Sequence, residues 1–130
     1  MNILSIDYGS KRIGLAWVDT NLGVILPFGI VEKKTVSEKI KELVEIIEKE
    51  RLDLIVVGFP VDRNGKENTN TERVKKMVFE LQKKVKLPIE YFDERFTSQA
   101  ADAKGGGVSR DEQSAMIILE GFLERKKYSK

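Results

Sequence analysis

The chain has no cysteine and no histidine in its 130 residues. Without cysteine there are no disulfides, thiolate nucleophiles, zinc ribbons or iron–sulfur clusters. Without histidine, serine–histidine triads and imidazole acid–base catalysis are excluded. Any catalysis is left to Asp, Glu, Lys, Tyr, Ser or Thr. A metal site would be all oxygen, which favours magnesium or manganese over zinc. Long hydrophobic runs are also missing. The apolar stretches fall far short of the roughly 20 residues a membrane span needs, so no membrane partner is expected. The N-terminus enters a strand directly with no signal-peptide pattern, which predicts a cytoplasmic protein. Neither sign of charge dominates: 23 Lys and Arg stand against 21 Asp and Glu, a net +2. That balance does not by itself demand nucleic acid, so local clusters carry the argument. The apolar and charged fractions, 41% and 34%, are those of a globular chain. The length predicts one domain, residues 1–130, with room for a real core.

What is present is an alternation of strand and helix patterns. Strand-like segments fall near residues 2–7, 12–19, 23–32, 53–58 and 88–92. The first three have connections too short for a helix and read as an antiparallel meander. The last two each follow a helical segment. The first helix is expected over 36–50, with Ile40, Leu43, Val44 and Ile47 on one face. Thr35 and Glu38 would form its capping box. The second is expected over 70–85, with Val74, Met77, Val78 and Leu81 in line and Thr69 with Glu72 as its box. The third covers about 110–126, with Ser109 and Glu112 as its box. Its run Ala115-Met116-Ile117-Ile118-Leu119 is apolar nearly all round, so it should pack deeply. This is an α/β protein: a mixed sheet with helices on both faces. Gly14 and Ala16 in the second strand would let a helix approach closely. Trp17 and the phenylalanines read as core rather than as base-stacking platforms. Asn64, Gly65, Asn68 and Asn70 read as a polar loop.

The chemistry sits on carboxylates. The stretch Ile3-Leu4-Ser5-Ile6-Asp7-Tyr8-Gly9-Ser10-Lys11-Arg12-Ile13-Gly14-Leu15-Ala16 runs an apolar strand into Asp7, turns, and returns as a second strand. An unpaired carboxylate beside a sheet core costs several kcal/mol or shifts its pKa. A divalent metal would compensate it; a turn-capping role on the N–H of Gly9 or Ser10 is the structural alternative. Asp93 and Glu94 fall at the carboxyl end of the fifth strand, where ligands gather in open sheets. Being adjacent they point apart, and one of them is expected to face the site. Asp111, in the first turn of the last helix, has a simple role offsetting the helix dipole. It gains a second role only if Asp7 and Glu94 form a cluster, because two-metal phosphodiester chemistry needs several carboxylates. Lys11 and Arg12 flank Asp7 and could contact phosphate. Arg95, Thr97 and Ser98 could donate to a phosphate or start a helix.

Together these segments resemble the YqgF/RuvX family, RNase H-like proteins described as Holliday-junction-resolvase-like and as pre-16S rRNA nucleases. Residues 7–16 look like the family's opening motif. Val57-Gly58-Phe59-Pro60, with Gly65 downstream, is similar to its central Gly-Leu-Pro segment. Asp93-Glu94-Arg95-Phe96-Thr97-Ser98 resembles its Asp-Glu-Arg motif, and Asp111 through Leu123 its final helix. Four motifs in order and spacing are specific where one would be weak. The resemblance implies an RNase H-like sheet ordered 3-2-1-4-5 with the first three strands antiparallel. It also implies a catalytic triad of Asp7, Glu94 and Asp111 holding Mg²⁺ or Mn²⁺, two ions in all, with Lys11, Arg12, Arg95, Thr97 and Ser98 on the nucleic acid. The implied partners are an RNA precursor or branched DNA, together with ribosome-assembly components, and the protein would act as a monomer or homodimer. Departures are visible. The segment between Ser98 and Asp111 is shorter than usual and carries Gly105-Gly106-Gly107 in place of a basic stretch. Phe59 replaces a common Leu and Ser114 a common Ala.

Two other readings compete. An Asp-x-Gly turn also opens the phosphate motif of actin-like kinases, but those bind ATP between two such domains and this chain has room for one. A non-catalytic factor for transcription or ribosome assembly is the other. Three clustered acids near phosphate disfavour a pure binder.

Overall fold

The computed structural model describes residues 1–9, 11–93 and 107–126. Its elements follow in the order β1 (Asn2–Tyr8), β2 (Ile13–Asp19), β3 (Val24–Val31), α1 (Val36–Lys49), β4 (Leu54–Phe59), α2 (Thr69–Gln82), β5 (Ile89–Asp93) and α3 (Arg110–Lys126). The five strands form one sheet ordered β3-β2-β1-β4-β5. β1 pairs antiparallel with β2, and β2 with β3, while β1–β4 and β4–β5 are parallel. This is the topology expected from the sequence. A register shift between Leu15 and Ala16 sets Leu15 against Gly29 and Ala16 against Pro27. Pro27 is tolerated there because β3 is an edge strand.

The two-residue alternation of the strands divides the core. Leu4, Ile6 and Tyr8 of β1 join Ile13 and Leu15 of β2 beneath α1 and α2. Ile3 of β1 and Ala16 and Val18 of β2 face the other way, packed with Ala115, Ile118, Leu119 and Phe122 of α3. Ser5, fully buried, donates from its hydroxyl to the Ala115 carbonyl at 2.7 Å and fixes α3 on the sheet. The expected deep packing of α3 is thus present. Trp17 packs against the α1/α2 core and Phe92 and Phe122 lie in the α3 core. Phe79 does not follow the core expectation: it is 60% exposed, because on α2 it falls off the stripe made by Val74, Met77, Val78 and Leu81.

Thr35 and Glu38 form the expected capping box of α1. Ser109 and Glu112 do the same for α3, with the Glu112 N–H donating to Ser109 Oγ at 3.1 Å and the Ser109 hydroxyl to Glu112 Oε1 at 2.9 Å. At α2 the expectation of Thr69 with Glu72 is corrected: Asn68 is the cap and Thr71 its partner. Asn68 N–H donates to Thr71 Oγ1 at 3.0 Å, and Thr71 N–H to Asn68 Oδ1 at 3.2 Å. The Thr71 hydroxyl also donates to the Pro60 carbonyl. One buried hydroxyl therefore ties the start of α2 to the end of β4, which Thr69 could not do. Thr71→Val leaves the Pro60 carbonyl and the Asn68 N–H without that partner. We expect it to cost about 1–3 kcal/mol in urea unfolding; an unchanged midpoint would show the link to be idle.

Candidate nuclease site

Asp7 is the penultimate residue of β1 and lies opposite Gly14 in the β1–β2 register. The alternation that sends Leu4, Ile6 and Tyr8 under α1 and α2 turns Asp7 to the α3 face. The first turn of α3 lies directly over Gly14. A Cβ placed on Gly14 would come within 1.9 Å of the Asp111 carbonyl oxygen and 3.0 Å of the Asp111 Cβ. Glycine is required by this approach, and it is what brings Asp111 beside Asp7. The turn between the strands closes with the Gly9 N–H donating to the Arg12 carbonyl at 3.0 Å, and a Cβ on Gly9 would lie 2.5 Å from that oxygen.

The electrostatics follow from this placement. Burial first, and the neighbouring Asp111 carboxylate second, push the Asp7 carboxyl up to about 6 from 3.8. None of the described residues donates a hydrogen bond to the Asp7 carboxylate. In particular, Gly9 spends its N–H on Arg12, so the turn-capping role does not apply through Gly9. Asp111 is compensated differently: Arg12 Nε donates to Asp111 Oδ2 at 2.8 Å, and the Arg12 guanidinium also lies 3.9 Å from Glu32. That hydrogen bond, with the attraction of the same carboxylate, raises the guanidinium's pKa further. The helix-dipole role of Asp111 and its place beside Asp7 are both realised, since it is in the first turn of α3.

The remaining candidate residues divide as follows. Lys11 is exposed on the turn. Asp93 ends β5 opposite Phe59, and the alternation that buries Phe92 with Phe122 sends it to the α1/α2 face, away from Asp7. Glu94, Arg95, Thr97 and Ser98 lie outside the described residues, as do Gly105 and Gly106. Among the described residues no group of three acids is assembled as a metal cage. The pair that is assembled still suits a hard cation: all its donors are carboxylate oxygens, and one of the two carboxylates is partly buried, with its pKa pushed up first by that burial and second by its neighbour. The partnership of Arg12 with Asp111 was not legible in the sequence, because the two stand 99 positions apart.

Arg12→Ala removes the cation that offsets Asp111. The Asp7 carboxyl, feeling more of that charge, is expected to move further up. Carboxyl-carbon NMR titration reads this directly, and a downward shift or none would break the proposed coupling.

A family model described as "RuvX: Holliday junction resolvase" matches residues 1–125. The chain belongs to the RuvX family. Among its relatives is the "Putative pre-16S rRNA nuclease" of Maridesulfovibrio salexigens, 38% identical, covering 96% of this chain and 99% of that one. The protein of the same name from Phocaeicola vulgatus is 37% identical over 97% of each. Solved structures with the same fold include the Thermus thermophilus RuvC bound to a Holliday junction, with a TM-score of 0.63 at 14% identity over 96% of both chains. The fowlpox virus Holliday junction resolvase has a TM-score of 0.61 at 12% identity, over 96% of this chain and 99% of that one. These confirm the RNase H-like architecture for this RuvX protein. No described helix is long and apolar enough to cross a membrane.

Proposed function

We propose that this RuvX protein is a metal-dependent nuclease that hydrolyses phosphodiester bonds in nucleic acid, with the 5′ end of precursor 16S rRNA as its substrate. The observation that carries the reading is the Asp7 carboxyl, partly buried, without a hydrogen-bond donor among the described residues and pushed up to about 6 beside a second carboxylate. Such an arrangement destabilises the protein unless a cation occupies it. In this reading Asp7 and Asp111, with Glu94 from the Asp-Glu-Arg segment, hold two Mg²⁺ or Mn²⁺ ions. When bound, these ions supply Lewis acidity at the scissile phosphate and lower the pKa of water. The protein's own residues position and neutralise. Arg12, braced on Asp111, and the exposed Lys11 present positive charge on the turn next to Asp7, where they hold a phosphate of the backbone. Arg95, Thr97 and Ser98 add donors to the same strand. The hydrogen bond from Arg12 to Asp111 also holds that carboxylate in place while the site is being filled.

The names of the curated relatives favour the ribosomal precursor, while the family's description favours a four-way junction. Both are tested together, with labelled 5′-extended ribosomal RNA precursor and labelled four-way DNA junction incubated with purified protein and Mn²⁺ or EDTA. Metal-dependent cleavage of the precursor supports the proposal. Cleavage of the junction alone would make this a resolvase, which needs two active sites and hence a dimer. Tight binding of either without cleavage would leave a nucleic-acid-binding factor.

A further inference from the structure

The face of the sheet opposite the carboxylates carries a groove between α1 and α2. Its volume is about 1060 Å³, and six cationic side chains line it against two acidic ones. Its walls include Val36 and Lys41 of α1 and Arg73, Lys76 and Phe79 of α2, with Lys84 just beyond. Of the two acids, Glu80 is held by Lys83 at 3.3 Å. Lys41, Lys76 and Lys84 have no ion-pair partner among the described residues. Phe79 and Val36 are 60% and 51% exposed; Lys83 Nζ lies 4.6 Å over one face of the Phe79 ring, which leaves the other face for a ligand.

Tyr8 is among the residues that line the groove. Arg73 lies 5.6 Å and Lys39 Nζ 5.5 Å from the centroid of its ring. Tyr8 directly follows Asp7 in β1, and the strand's alternation sends the two side chains to opposite faces. The carboxyl end of β1 is therefore the place where the groove and the carboxylate site meet.

We propose that the α1/α2 groove binds a single-stranded nucleic-acid segment continuous with the scissile strand. The inference rests on the nuclease reading and adds a second substrate site to it. An apolar floor with an exposed aromatic ring, under a rim of long-stemmed cations, suits unpaired bases and their phosphates. A duplex would offer the groove only phosphates, leaving Phe79 and Val36 unused. The abundance of cations over acids disfavours a basic or neutral peptide. Phe79 is the stacking platform, while Lys76, Lys84 and Lys41 meet the backbone.

The test uses the full chain carrying Asp7→Asn, so that no strand is cut, in EDTA. The probe is a fluorescein-labelled single strand of twelve nucleotides, followed by anisotropy over a range of salt concentrations. Adding Phe79→Ala should weaken binding about tenfold, the loss of one stacked base. Adding Lys76→Glu with Lys84→Glu should weaken it at least as much and flatten the salt slope by about 1.4. Thermal melting of each variant checks that the fold is intact, which the exposure of these side chains favours. Unchanged affinity and slope in both variants would overturn the inference. So would a parent protein that fails to bind the strand while the wild type still cleaves its substrate, an outcome that leaves the nuclease reading standing. If the wild type neither cleaves nor binds any nucleic acid, both fall. Loss of self-association in sedimentation, without loss of strand binding, would make the groove an interface between copies and overturn the inference too.

Discussion

Asp7→Asn is expected to abolish metal-dependent cleavage and, in the absence of metal, to make the protein more stable at pH 7.5 by on the order of 2 kcal/mol. Both effects come from one cause. The folded chain holds the Asp7 carboxyl at about 6, whereas an unfolded chain releases its proton near 3.8. Between those values the native state binds more protons than the unfolded state, so stability falls as pH rises. Above about 6 the full penalty of a buried anion beside Asp111 is present; below about 3.8 it is absent. Asparagine keeps the shape and removes the charge, so its advantage should be large at pH 7.5 and fade at pH 4. Urea unfolding in EDTA at the two pH values measures this. A variant less stable than the wild type at pH 7.5, or a gain equal at both pH values, would contradict the electrostatic account. Destabilising groups kept at a site are those that function needs.

Gly14→Ala should damage the molecule far beyond the size of a methyl group. The new Cβ would lie 1.9 Å from the backbone oxygen of Asp111. Backbone on both sides of this contact is fixed, β2 by its two strand neighbours and α3 by Ser5 on Ala115. The clash is relieved only by lifting the start of α3, at a cost of about 3 kcal/mol or more. Lifting it separates Asp111 from Asp7, so the Asp7 carboxyl should move back toward the ordinary range. The paired readouts are the urea midpoint and the Asp7 titration. A variant with the wild-type midpoint and an unmoved carboxyl would show that the close approach does not hold the two acids together.

The elements were legible because local signals agreed with the fold. Strand alternation, three helical stripes and two of three capping boxes each point to the observed structure. The third box failed where two patterns overlapped in Asn68-Thr69-Asn70-Thr71-Glu72. Only the bond from Thr71 to the Pro60 carbonyl chooses between them, and that is a tertiary contact. The same limit applies to the site. Asp7 was legible as a charge ending an apolar strand, and Gly14 as a place for a helix to come close. That the helix arrives with Asp111, and that Arg12 is spent on it, follows from packing across nearly the whole chain. Phe79 was misjudged for a simpler reason: residue type was weighed above its angular position on α2.

Manganese binding tests the central claim most directly, without needing the right substrate. Purified wild type, Asp7→Asn and Asp111→Asn are titrated with Mn²⁺ while the free-ion EPR signal is followed. The carboxylate account predicts that the wild type removes Mn²⁺ from solution and that each single substitution weakens this by at least about tenfold. Equal uptake by wild type and Asp7→Asn would place the metal elsewhere and contradict it.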